Sequence, residues 1–277
     1  MIAVKIVTDS GSDLSTEIAK ALGITIVPVY IYFGDKAYRD GVDISADELY
    51  QRVLKGPVHP TTTQPMPSDF ANVYRELSRE TDAIVSIHLS ARTSGTYNAA
   101  LQAIEMAQTK CHIEVVDSLS VSMGLGLIAM AAARVAQAGG SLPEVREETK
   151  KAIKQVRLLG LLDTLKYLLL GGRITKARAL VGILLKVKPL LTIRDGALIQ
   201  AGLARSYAKG VDQLYEFVKS ITDVQEVAIV YSTVPDEANL LRKRIGSLIS
   251  EERIHMARLG AGLGVHGGPG TLIVAAR

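Results

Sequence analysis

A chain of 277 residues with 48% hydrophobic and 22% charged residues can bury one large core or two smaller ones, and calls for neither a disordered nor a membrane class. The formal charge of +4 is spread along the chain rather than gathered into a stripe, which argues against nucleic acid, and the single cysteine, Cys111, excludes an internal disulfide and a cysteine-rich metal site. Aromatic residues make up only 5%, with no Trp, so the core must come from Leu, Ile, Val and Ala, a composition that also suits an aliphatic ligand.

The opening MIAVKIVTDSGSD reaches acidic residues early and lacks a basic region and a long apolar run, so no signal peptide is expected and a reducing cytoplasm fits. Strands are predicted at Ala3 to Thr8, Ile24 to Phe33, Ala83 to Ile87 and Ile113 to Val116. Between them, Ser45-Ala-Asp-Glu48 reads as a capping box for a helix to Leu54, and Ser68 as the cap of a helix from Asp69 to Arg79. This alternation marks βαβ units and a parallel sheet, whose strand ends at Asp9-Ser10, Ser90 to Thr96 and Asp117-Ser118 are where ligands of such sheets collect.

Helices are predicted at Val121 to Ala138 and Leu142 to Gln155; Arg134 and the short length make the first a buried helix rather than a membrane span. The texture then changes to Leu158 to Leu162, Pro189 to Ile193 and Ala197 to Gln200, the last two joined by a hairpin turn at Arg194-Asp-Gly196. Further strands are expected at Glu226 to Tyr231, Ile254 to Leu259 and Leu272 to Ala275, with helices at Lys209 to Ser220 and Pro235 to Ile249. The expected fold is therefore α/β in two domains: residues 1–155 with a parallel, Rossmann-like sheet, and residues 156–277 with a mixed, largely antiparallel one.

Four segments invite a functional reading. The rigid polar loop His59 to Pro67, with Thr61-Thr-Thr-Gln-Pro65, crowds hydroxyls that can bind one anion or form a solvated turn. Ser90 to Tyr97 stands between a strand and a helix, as an anion site or an ordinary cap. Leu168-Leu-Leu-Gly-Gly-Arg-Ile174 turns Arg173 either toward a site or onto the surface. Gly260 to Gly270, with six glycines around His266, reads as a loop whose backbone approaches something closely. Its glycines formally spell a dinucleotide fingerprint, but Pro269 and an apolar strand follow where a helix should begin. The chain has no phosphate loop, and His59, His88, His112, His255 and His266 show no metal-ligand spacing. Ser94 with His266 and Asp9 or Asp117 is a conceivable hydrolytic triad, although the G-x-S-x-G elbow is missing.

The strings VTDSGSDL, TTTQP, SARTSGTYNAA, VVDS, LLLGGRI, LLKVKPLL and GVHGGPG, in this order along nearly the whole chain, resemble those of the DegV family. The resemblance implies a protein that binds a long-chain fatty acid such as palmitate between two domains, with no other cofactor and no metal. It implies that Thr62, Ser94 and His266 hold the carboxylate, with Thr63 keeping a hydroxyl beside them, Arg173 adjacent, and Arg205 at a basic position suited to docking. It further implies an ATP-binding kinase subunit as partner, which would phosphorylate the held carboxylate, so the chain by itself would not be the enzyme. Two departures bear on specificity: Met66 replaces a serine of the family pattern, and Gly267 replaces a hydroxyl beside His266. A lipid transport or sensing protein without a kinase, and a serine-type acyl hydrolase, are the alternatives.

Overall fold

Lys5–Asp9 (β1) opens the chain in a computed structural model that describes residues 4–56, 58–173 and 187–277. Thr16–Leu22 (α1) follows, started by Ser15, whose hydroxyl accepts the Ile18 amide at 3.2 Å, and leads into Ile24–Val27 (β2). The single strand expected from Ile24 to Phe33 is cut at Pro28, which has no amide to donate to a ladder. Beyond the cut, Tyr30–Phe33 (β3) pairs antiparallel with Lys36–Arg39 (β4). The helix Ala46–Lys55 (α2) has the Ser45 cap read from the sequence. Thr61–Thr63 (β5) then adds to the free edge of β3, with Ile31 opposite Thr62, so the loop expected at His59 to Pro67 is partly a strand.

Pro67–Leu77 (α3) starts before the expected cap Ser68: Pro67 takes the first helical position and the Asp69 carboxylate accepts the Met66 amide at 2.9 Å. Ala83–His88 (β6), Thr96–Ala107 (α4) and His112–Asp117 (β7) complete a sheet of order β2-β1-β6-β7, parallel throughout.

Met123–Gln137 (α5) is buried along nearly its whole length, and Leu142–Gln155 (α6) packs beside it. The core around α5 is continuous, taking Ile6, Val85 and Ile87 from the parallel sheet and Ala228, Val230 and Ile273 from the second sheet. That sheet is built from Arg157–Leu161 (β8), then, past Lys166–Leu170 (α7), Lys188–Arg194 (β9) and Ala197–Ala204 (β10). Asp195 and Gly196 turn the hairpin at φ 50° and 74°, the positive pair that a two-residue hairpin demands. Tyr207–Lys219 (α8), Val227–Tyr231 (β11), Pro235–Ile245 (α9), Ile254–Arg258 (β12), Ala261–Gly267 (α10) and Leu272–Ala276 (β13) follow. The order is β10-β9-β8-β13-β11-β12, with β11–β12 the one parallel pairing among the described strands of this sheet, as the expected mixed, largely antiparallel sheet requires.

The glycine-rich segment expected as a loop is a helix, α10. Its glycines are needed for contact: a Cβ at Gly262 would lie 2.4 Å from Val29 Cγ2, and one at Gly264 would lie 2.6 Å from the Tyr50 hydroxyl. The end of the LLLGGRI string, the start of LLKVKPLL and part of the aliphatic stretch Leu158 to Ile193 lie outside the described residues.

Candidate functional site

A cavity of about 330 Å³ is lined both by residues beyond the carboxyl ends of the parallel strands and by residues of the second sheet, and its volume is inside the range of roughly 300–1,000 Å³ usual for small-molecule sites. Gly11 and Leu89, just past the carboxyl ends of β1 and β6, form one wall, the position at which parallel sheets bind ligands. Leu158, Leu162, Leu191, Ile193 and Ile273 form an aliphatic wall opposite. Polar groups join this lining from separate elements: Thr62 and Thr63 from β5, Arg92 and Ser94 from the loop before α4, Arg173 after α7, and His266 from α10.

The closest of these contacts is Thr62 Oγ1 to His266 Nε2, 2.8 Å across 204 residues of sequence. Burial, aided by the charge of Arg173 and by His59, pushes the His266 pKa down to about 3, so the imidazole is neutral at physiological pH. Its Nδ1 has no hydrogen-bond partner among the described residues and lies against the backbone of Gly171, where a Cβ would come within 2.1 Å. A buried ring nitrogen without a partner costs less as a bare acceptor than as an N–H. With the proton on Nε2 the imidazole donates to Thr62, and the Thr62 hydroxyl hydrogen is free for a second acceptor.

Arg173 is held by one bond from its guanidinium to the Gly171 carbonyl at 2.7 Å, and burial lowers its pKa. Among the described residues it has no carboxylate partner, and its planar guanidinium is suited to an anion. Ser94 shares its hydroxyl with Thr96 Oγ1 at 2.8 Å and accepts the Thr96 amide at 3.3 Å, which places it at the start of α4. Thr63 is exposed at the rim. Arg205 is exposed between β10 and α8 and does not line the cavity. Arg92 was passed over in the sequence although it lies within the SARTSGTY string; a cation among clustered hydroxyls after a strand was the available signal. His59, stacked on Tyr167 with ring centroids 5.9 Å apart, is a second neighbour that the sequence did not single out.

The hydrolytic alternative does not assemble. His266 is bonded to Thr62, the Ser94 hydroxyl to Thr96, Asp9 to His88, and Asp117 to the amides of Ala91 and Leu119. Among the described residues no cluster of His, Cys, Asp and Glu can hold a metal ion, and no helix is long and apolar enough to cross a membrane.

The family described as "Uncharacterised protein, DegV family" matches residues 3–277. A DegV family protein from Thermus thermophilus, described for its fatty acid binding, is 34% identical and superposes with a TM-score of 0.90, covering 99% of both chains. DegV from Bacillus subtilis, described as a fatty acid binding protein, is 27% identical with a TM-score of 0.90, covering 100% of this chain and 99% of the other. A stearic acid-binding protein from Eubacterium ventriosum is 27% identical with a TM-score of 0.86, covering 99% and 98%.

Proposed function

We propose, for a chain that belongs to the DegV family, that the cavity holds a long-chain fatty acid with its carboxylate at Thr62, Ser94 and His266 and its tail along the aliphatic wall. The observation that carries this reading is one polar cluster, the Thr62–His266 contact at 2.8 Å with the Arg173 guanidinium and Ser94 in the same lining, beside an aliphatic wall. A buried carboxylate stays charged only if it is paired or fully hydrogen-bonded, and these groups supply donors. Each buried methylene adds roughly 0.8 kcal/mol, so a long chain contributes on the order of 10 kcal/mol gross before association costs. In this reading residues 1–155 and 156–277 are two domains, the ligand sits at their interface, and the setting is cytoplasmic.

We further propose that the held carboxylate is presented to an ATP-binding kinase subunit. A carboxylate oxygen would bond to the γ-phosphorus as the bond to ADP breaks, yielding an acyl phosphate. The chain contributes no nucleophile or general base; Thr62, Ser94 and His266 fix the attacking group while Arg173 offsets the arriving charge. The exposed Arg205 suits the docking face for such a partner.

Native mass spectrometry before and after denaturing extraction tests the binding. One fatty acid per chain supports it; a ligand-free mass unchanged by incubation with palmitate or stearate overturns it. Acyl phosphate formation on addition of a kinase subunit and ATP, trapped as the hydroxamate, tests the second step separately.

A further inference from the structure

Helix α10, which carries His266, is held at its amino end by side chains from the other half of the chain. Gly260 occupies the cap position and has no side chain to satisfy the first amides. Instead Asp13 Oδ1 accepts the Gly260 N–H at 2.8 Å and Asp40 Oδ1 accepts the Ala261 N–H at 3.0 Å. The second Asp13 oxygen accepts the Ser122 hydroxyl at 2.5 Å, and Ser122 lines the cavity from a backbone at φ 55°. The Tyr50 hydroxyl donates to the Leu259 carbonyl at 3.2 Å, fixing the approach to the same turn.

Both carboxyl groups are only 6% exposed, and burial pushes Asp13 up to about 8 and Asp40 up to about 6. Burying two acids is costly, whereas a local Ser or Asn would cap a helix. What two acids from separate loops add is location: they tie the start of α10 to the turn after β1 and to the loop after β4. The sides of the helix are equally constrained, since a Cβ at Gly262 would meet both Val29 Cγ2 at 2.4 Å and Asp40 Oδ2 at 2.9 Å. From Ala261 to His266 is little more than one turn, so a shift at the clamped end is carried to the imidazole.

We propose that Asp13 and Asp40 are positioning residues for the His266–Thr62 pair, setting the depth at which the imidazole meets Thr62 and the bound ligand. The ligand part of this inference rests on the fatty-acid reading above. A purely architectural role would lower stability and leave His266 unchanged.

The test compares the parent with Asp13→Ala, Asp40→Ala, the two Asn variants and Gly262→Ala. It reads the imidazole nitrogen resonances of His266 in ligand-free protein, assigned through their loss in His266→Gln, and the dissociation constant for palmitate. The Ala variants are expected to move the His266 resonances and weaken palmitate by about tenfold. The Asn variants keep an oxygen facing each amide and should restore affinity to within about threefold. Gly262→Ala keeps both acids in the chain but crowds Val29 and the Asp40 carboxylate, so the helix must shift; it should move both readouts in the same direction, and it carries the test if an Ala variant does not fold. A folded Ala variant, or Gly262→Ala, with parental resonances and parental affinity overturns the proposal. Asn variants behaving like the Ala variants also overturn it, by assigning the effect to charge. A parent that binds no palmitate defeats the fatty-acid reading alone, because the His266 resonances still report positioning.

Discussion

His88 and His266 each meet a hydroxyl, at 2.7 Å from Ser86 and 2.8 Å from Thr62, yet the two surroundings differ in how much hydrogen bonding is left over. Around His88 the donors run in one direction. Tyr74 donates to Ser86 at 2.8 Å, Ser86 to His88 Nε2, and His88 Nδ1 to Asp9 at 3.0 Å, while Asp9 also accepts the Gly11 and Leu89 amides. The order Asp, His, Ser is that of a hydrolytic triad, but the members are fully buried and none lines the cavity. Around His266, by contrast, the neighbouring Arg173 guanidinium has, among the described residues, one bond to the Gly171 carbonyl and no carboxylate. A satisfied network is architecture, and an unfinished one beside a cavity is where a ligand completes the bonding.

The comparison breaks most visibly at Asp9. Asp9→Ala would leave the His88 Nδ1–H and the amides of Gly11 and Leu89 without acceptors in the core, and should cost about 3 kcal/mol or more of unfolding free energy in urea titration. A loss below about 1 kcal/mol would mean that this network is not the closed structural unit described. His266→Ala should do the opposite, weakening palmitate binding by about 10–100-fold, with a stability change smaller than that of Asp9→Ala. Equal destabilisation by the two variants would erase the distinction. Gly171→Ala sharpens it: the added Cβ would lie 2.1 Å from His266 Nδ1, so the ring must move. Palmitate affinity measured by calorimetry should then fall by about threefold to tenfold.

Much of the frame was legible because burial writes a period into the sequence. The four parallel strands alternate with helices, and the Asp195-Gly196 hairpin has a local turn signal. The small sheet was not legible. β4 is mostly exposed and β5 is three residues long, and β5 is a strand only because β3 offers a free edge. Helix α10 was hidden for the opposite reason: glycine disfavours helices, and only the approach to Val29 and Tyr50 explains its use there. Thr62 and His266 stand 204 residues apart, so no spacing rule joins them; the family resemblance named both, and the geometry supplied the bond. Asp13 lies within the VTDSGSDL string, but neither it nor Asp40 is legible as a cap, since nothing local marks an acid that caps a helix elsewhere in the chain.

A third polar cluster, away from both histidines, gives the smallest effect and a control for the other two. Arg134 on α5 makes bonds of 2.6 and 2.8 Å to the two Glu226 oxygens, and His255 on β12 meets Glu226 at 2.9 Å. Burial alone would raise the Glu226 pKa, but the His255 and Arg134 hydrogen bonds outweigh it and bring it from 4.5 down to about 2. A carboxylate that binds its proton less tightly when folded stabilises the fold fully above its unfolded pKa and loses that contribution as pH falls through the folded one. The stabilisation from this cluster should therefore be complete above about pH 4.5 and fade toward pH 2. Because the Arg134 side chain is 44% exposed, solvent screens the pair and the contribution should be near 1 kcal/mol. Urea titrations of the parent and Glu226→Gln should differ by about that amount at pH 6 and converge toward pH 2. A difference that persists at pH 2 would assign the effect to packing rather than charge. The cluster is satisfied like that of His88 but partly open to water, so its removal should cost less than Asp9→Ala and leave palmitate affinity unchanged.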